Sequence, residues 1–212
     1  MEFRDGTMRG VDLRRELAGP PEQVAPLLLG AVVEHHDAEG AVAVRVTEVE
    51  AYGGQGEDPG SHAHRGETRR NSAMFGRPGL AYVYFTYGMH WCLNVVCGPT
   101  GQGGAVLLRA GEVVDGMELA RARRPAARTD AELAQGPARL AQALGVDGGL
   151  DGADLFDPAG PLRLRSAAAG PVEVLTGPRV GLSAAPARPW RFWLPGEATV
   201  SRYRPAARRT GG

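Results

Sequence analysis

Val42, Val44 and Val46 alternate along residues 41–52, and this period of two constrains the fold more than any other feature of the chain. Alternate side chains of an extended strand point to one face. The run therefore reads as a β-strand, paired with a shorter one at residues 32–33 across an Asp37-Ala38-Glu39-Gly40 turn. Glu48 and Glu50 stand on the same parity as the valines. The face that begins as core is thus expected to end by presenting two carboxylates. A carboxylate so placed loses hydration and becomes a candidate base near neutral pH.

Residues 80–87 and 90–96 read as a second strand pair turning at Gly88-Met89, with Tyr82 and Tyr84 on one face and Tyr87 at the tip. Residues 105–110 form a short apolar strand that carries Arg109. Helices are expected at 115–124 and 134–144, the latter opened by Gly136-Pro137 and closed by Gly145. Residues 11–29 read as a helical start split by Pro20-Pro21, and short strands are expected at 171–175 and 190–194. Residues 53–79 are a loop long enough to suggest function. With 31 glycines and 16 prolines the chain is loop-rich, not a helical bundle, and 212 residues suffice for one well-filled core. No repeat or linker divides it. The expectation is a single mixed α+β domain over residues 1–212, with 204–212 a flexible basic tail.

Several function classes are disfavoured. The Met1-Glu2-Phe3-Arg4-Asp5 start lacks the apolar core of a signal peptide, and the longest apolar run, residues 25–33, is too short to span a bilayer. Cys92 and Cys97 match neither a redox nor a zinc spacing, so a reducing cytoplasm is expected. All 24 basic residues are arginine, which leaves no lysine amine for a Schiff base. A formal net charge of zero argues against electrostatic binding to nucleic acid. The charge is nonetheless segregated. Arg65, Arg69, Arg70 and Arg77 cluster with only Glu67 among them, and Arg121, Arg123, Arg124 and Arg128 form a second group. A third comprises Arg202, Arg204, Arg208 and Arg209, while acids gather at Asp147, Asp151, Asp154 and Asp157.

Four of the five tyrosines lie between Tyr52 and Tyr87, beside two carboxylates and two imidazoles. Flat rings next to an acid–base pair suit a planar heterocycle that is held while a base acts on it. Glu50 at a strand end and His62 on the following loop can together hold a water; the competing reading pairs Glu50 with a loop arginine. His62 and His64 also form an HxH pair able to contribute to a metal site with Glu50 or His90. His35-His36 reads as solvated, and His64 has no assigned role. Tyr87 at a hairpin tip is placed to wedge between base pairs from the minor groove, unless it folds back on its own sheet. Tyr82 and Tyr84 either stack on a flat ligand or form a core pair. Asn94, in an apolar run, must satisfy backbone or read a polar edge.

Glu50-Ala51-Tyr52, Ser61-His62, Arg70-Asn71, Met74-Phe75, Tyr82-Val83-Tyr84, Tyr87-Gly88-Met89, Asn94 and Leu107-Leu108-Arg109-Ala110 occur in one characteristic order. Gly136-Pro137-Ala138-Arg139-Leu140, Gly177-Pro178-Arg179-Val180-Gly181 and Trp190-Arg191-Phe192 continue it. Over residues 10–203 the chain resembles the 3-methyladenine DNA glycosylases of the alkyladenine glycosylase family. The resemblance implies a curved antiparallel sheet with a protruding hairpin, docked on the minor groove of double-stranded DNA. It implies monofunctional hydrolytic excision of damaged purines by a monomer, with no cofactor and no metal. By the same resemblance Glu50 is the general base, and His62 and Arg109 position the water. Tyr52, Tyr84, His62 and Asn94 bind the flipped base, Tyr87 fills its place, and Arg65, Arg69, Arg70 and Arg77 hold the DNA backbone. The alternative is a damaged-base binding protein of the same fold that does not cut.

Overall fold

The computed structural model describes residues 12–167, 173–182, 185 and 187–205. A curled antiparallel sheet runs in the order β3-β4-β5-β2-β1-β6, with β8 added beside β2 and β7 beside β8. The strands are β1 (Val32–Asp37), β2 (Gly40–Tyr52), β3 (Ala81–Thr86), β4 (His90–Cys97), β5 (Gly104–Asp115), β6 (Leu162–Arg165), β7 (Leu175–Gly177) and β8 (Arg191–Trp193). Four short α-helices accompany them among the described residues: α1 (Leu13–Glu16), α2 (Pro21–Val24), α3 (Met117–Arg123) and α4 (Pro137–Leu144). The α+β class, the two hairpins, the split at Pro20-Pro21 and both later helices match the sequence reading. In α4, Pro137 occupies the first turn, and Gly145 closes the helix at φ 75°, where a side chain would be strained. Part of the strand expected at 171–175 lies outside the described residues, as does the tail from 206; β7 begins at Leu175.

The strand β2 organises the site. β5 pairs along one of its edges, while β1 and then β8 share the other, Val32 opposite Arg45 and Trp193 opposite Glu48. Its far end is therefore hydrogen-bonded on both sides. The expectation of one unbroken face from Val42 to Glu50 is corrected here. The β2–β5 register shifts between Val46 and Glu48 and again before Val49. Val42, Val44 and Val46 join the main core, and past the irregularity Val49 and Ala51 join it instead. An irregular step changes which parity faces inward. It turns Glu48 and Glu50 away from the core that the valines occupy.

Nor is His35 solvated. It lies in β1, buried, with Nδ1 2.8 Å from the Leu144 carbonyl at the end of α4. His36 instead faces Glu34, its Nε2 2.5 Å from the carboxylate. Among the described residues no helix is long and apolar enough to cross a membrane.

Candidate active site

Register carries one side-chain face across four strands. Tyr84 lies opposite Cys92, Tyr82 opposite Asn94, Asn94 opposite Leu107, and Leu107 opposite Glu50. The residues of opposite parity, among them Val83, Leu93, Val95, Leu108 and Val49, fill the core behind. On the polar face the sheet's curl leaves a cleft of about 330 Å³, lined by Tyr52, His62, Tyr84, Asn94, Arg109 and Val180 among others. That volume lies at the small end of ligand sites and suits one flat ring system.

Glu50 is wholly buried just behind this wall. Its Oε2 accepts from the Tyr52 hydroxyl at 2.9 Å and from Arg109 Nη1 at 3.2 Å; its Oε1 accepts from the Val180 backbone N–H at 2.6 Å. All three donors belong to cleft-lining residues. An ionised carboxylate offers about four acceptor positions, so one is left over. Burial, and next the Glu50 charge, push the Tyr52 phenol well above its ordinary range, so it stays protonated and donates.

Arg109 is held from both sides. Nε donates to Glu48 at 3.1 Å and Nη1 to Glu50. Burial would pull its pKa down, but the two carboxylates raise it above the usual arginine value. Glu48, also wholly buried, accepts further from Arg191 Nε at 2.6 Å and from the Ser201 N–H and hydroxyl at 2.7 and 2.9 Å. Sequence reasoning saw Glu48 as a second carboxylate and gave it no task. Its partners come from β5, β8 and the segment after it, and nothing local marks them.

His62 opens onto the cleft from the loop after β2. Its Nδ1 lies 2.9 Å from the Tyr82 hydroxyl, and its ring meets that of Tyr84 edge-on at 4.6 Å. Burial and then the Arg70 charge hold its pKa below the ordinary imidazole value, so at neutral pH the ring is uncharged. The tyrosine pair divides between core and cleft. Tyr82 is a core residue, while Tyr84 remains partly exposed in the cleft, 5.4 Å from it. Asn94 satisfies backbone, its Nδ2 donating to the Tyr82 carbonyl at 2.9 Å, and the residue also lines the cleft. His64 is not drawn in: its Nδ1 is buried without a hydrogen-bond partner among the described residues. There, too, no three His, Cys, Asp or Glu side chains group so as to hold a metal, which removes support from the HxH reading.

Tyr87 does not fold back. At the tip of the β3–β4 hairpin it is 88% exposed, beside Met89 at 67%. Tyr87 and Gly88 have φ of 51° and 66°, and Met89 N–H closes the turn onto the Thr86 carbonyl at 3.1 Å. Positive φ at both central positions matches the twist of the flanking strands. For tyrosine it costs about 1–3 kcal/mol, a strain that concentrates at functional positions.

The four arginines differ in freedom. Arg65 and Arg69 are exposed. Arg70 donates to the Phe85 carbonyl at 2.6 Å, and Arg77 pairs with Asp154 at 2.8 Å. Arg65, Arg70 and His62 share a hollow of about 230 Å³ adjoining the cleft. The acidic group is spent on local structure: Asp147 and Asp157 cap nearby N–H groups, Asp151 accepts from Val83 N–H, and Asp154 binds Arg14 and Arg77. In the second arginine cluster, Arg121 and Arg123 are paired with acids. The Arg204 carbonyl accepts from Gly181 N–H at 2.9 Å, which ties down the start of the expected tail.

Sequence reasoning also missed a buried ion pair beneath Tyr52, Asp58 with Arg179. The Gly177–Gly181 motif contained the arginine, but no local pattern singled out Asp58.

Comparison with known proteins agrees with this geometry. The family model described as methylpurine-DNA glycosylase (MPG) matches residues 15–198. A protein of Streptomyces avermitilis bearing the provisional name 3-methyladenine DNA glycosylase is 56% identical over 203 residues, covering 93% of this chain and 95% of its own. Proteins of the same provisional name from Leifsonia xyli subsp. xyli and Nocardia farcinica are 56% and 53% identical, covering 86% and 92% of this chain and 87% and 93% of theirs. With residues 15–198 matched by the family model and relatives more than half identical over most of its length, the chain belongs to the methylpurine-DNA glycosylase family and is a DNA N-glycosylase.

Proposed function

We propose that this protein turns an alkylated or deaminated purine out of double-stranded DNA and hydrolyses its N-glycosidic bond, without a lyase step. The observation that carries the reading is Glu50, a wholly buried carboxylate fixed by three cleft-lining donors with one acceptor position spare. In the proposed step a water donates a hydrogen bond to Glu50 and attacks C1′ of the deoxyribose. The O–C1′ bond forms, the C1′–N bond breaks with its electron pair going to the base, and Glu50 takes the water's proton. His62 and Arg109 orient that water.

Tyr52 and Tyr84 stack on the extruded base, and Asn94 crowds the exocyclic amino group of normal guanine. Damaged purines are cheaper to unstack than normal ones, so extrusion itself contributes to selection. The chain has no lysine to form the imine a lyase requires, which supports monofunctional action. Arg65, Arg69, Arg70 and Arg77 contact DNA phosphates, the first two already free of acidic partners among the described residues. The protein acts as a monomeric, single-domain enzyme of the cytoplasm.

Tyr87 fills the gap left by the base. Its exposure and left-handed backbone suit a wedge, since an apolar ring inserted at a base step offsets part of the unstacking cost. The test is single-turnover release of free base from duplexes carrying 3-methyladenine or hypoxanthine, with EDTA present. Wild type is expected to release base, and Tyr87→Ala to release it at least tenfold more slowly, with an unchanged melting temperature and weaker binding to an abasic duplex. The reading fails if wild type releases no base. The wedge role fails if Tyr87→Ala matches wild type in both rate and abasic affinity.

A further inference from the structure

The loop after β2 and the segment after β7 meet beneath Tyr52. Arg179, only 2% exposed, donates through Nη1 and Nη2 to the two carboxylate oxygens of Asp58 at 2.5 and 2.8 Å, and through Nη1 to the Ala51 carbonyl at 3.0 Å. A fork held at three points has little freedom to turn. Its guanidinium carbon lies 4.6 Å from the centre of the Tyr52 ring and 5.4 Å from that of Trp190. Tyr52 lines the cleft and Arg179 does not, so the cation covers the ring on the side away from the cleft.

We propose that Arg179 is a specificity-determining residue, whose cation behind Tyr52 weights the cleft toward neutral bases and against cationic ones. This rests on the reading of Tyr52 as a platform for the extruded base. An aromatic ring attracts a cation through the negative potential of its faces. When one face already holds a fixed cation, a second cation on the other face meets a depleted ring and a like charge behind it. A neutral base stacks on the same ring without that opposition. Asp58 holds the guanidinium through Nη1 and Nη2, while the guanidinium carbon stays over the Tyr52 ring. Burial and then Glu50 raise the Tyr52 hydroxyl, and Arg179 pulls against them.

The same residue has a separable positioning effect. The next residue, Val180, donates its N–H to Glu50, and Asp58 accepts from the N–H groups of Gly53 and Gly60, two residues before His62. Loss of the pair is therefore expected to slow excision of every base by a shared factor, while loss of the cation changes the ratio between bases.

The experiment measures single-turnover excision of hypoxanthine, a neutral base, and 7-methylguanine, a cationic one, from otherwise identical duplexes. Asp58→Asn/Arg179→Gln removes both charges and leaves neither buried alone. The hypoxanthine-to-7-methylguanine rate ratio is expected to fall about tenfold from wild type, between the exposed and the desolvated values for a cation–ring contact. Arg179→Lys keeps a cation but loses the fork, and is expected to slow both reactions with the ratio held within about twofold. If the amide pair does not fold, Asp58→Leu/Arg179→Met replaces it, since apolar substitution of a buried ion pair is often neutral. An unchanged ratio in the uncharged pair, or an equal fall in Arg179→Lys, overturns the proposal. Failure of the wild type to release either base would instead overturn the glycosylase reading on which it rests.

Discussion

Glu50→Gln is expected to slow single-turnover base release by at least about a hundredfold, the lower end of what a positioned general base contributes. Glutamine keeps the size of the side chain but cannot take the water's proton. It also cannot serve all three present donors. Tyr52 and Arg109 meet one carboxylate oxygen and Val180 N–H meets the other, so one end of the amide must face a donor with its own N–H₂. That mismatch costs about 1–3 kcal/mol of stability, a measurable fall in melting temperature that leaves the fold in place. Affinity for damaged duplex is expected to stay within a few-fold of wild type, because the stacking rings and surface arginines are untouched. A variant that retains a tenth or more of wild-type release would remove Glu50 from the role of base.

The second large effect is on stability. Glu48→Ala is expected to destabilise the protein by about 3–5 kcal/mol, as when one partner of a buried ion pair is deleted. Glu48 answers Arg191 Nε and Arg109 Nε within the sheet and two groups of Ser201 in the segment after it. Arg109 keeps Glu50, but Arg191 loses its carboxylate and retains only the Ser201 carbonyl at 2.7 Å. For a chain of this size the loss corresponds to a melting temperature lower by roughly 10 °C, readable by calorimetry. Excision is expected to slow as well, because Arg109 is then oriented from one side. A melting temperature within 2 °C of wild type, on the order of the shift from 1 kcal/mol, would show that the network does not hold the strands together.

Much of this architecture is legible in the sequence where the signal is local. Alternating valines and an Asp-Ala-Glu-Gly turn define the β1–β2 hairpin, and Gly88 at a left-handed position closes the next one. Gly136-Pro137 and Gly145 bracket α4. The candidate site was legible for a different reason, the order of its motifs, which singled out Glu50, Tyr52, Tyr84, Asn94 and Arg109, residues that the structure brings to one cleft or just behind it.

What strand periodicity could not supply was the change of face near Glu48. On β2 no glycine or proline announces the irregular pairing, and the one glycine beside it, Gly111 opposite Val46, belongs to β5, about 60 residues away in the chain. That irregularity explains how valines of one parity fill the main core while Glu48 and Glu50, of the same parity, turn away from it. His35 was misjudged because its burial depends on α4, 109 residues away. The Asp58–Arg179 pair spans 121 residues. Short β6 went unread because its Leu-Arg alternation becomes a strand only where β1 offers an edge.

The central claim is hydrolysis at C1′ by a water that Glu50 activates. Its most direct test is product analysis after a single turnover on hypoxanthine-containing duplex in H₂¹⁸O, with EDTA present. The account predicts free hypoxanthine, an uncut strand and one ¹⁸O at C1′ of the abasic sugar, all at greatly reduced rate in Glu50→Gln. Strand cleavage accompanying base release, or an undamaged hypoxanthine duplex recovered after tight binding, would contradict it.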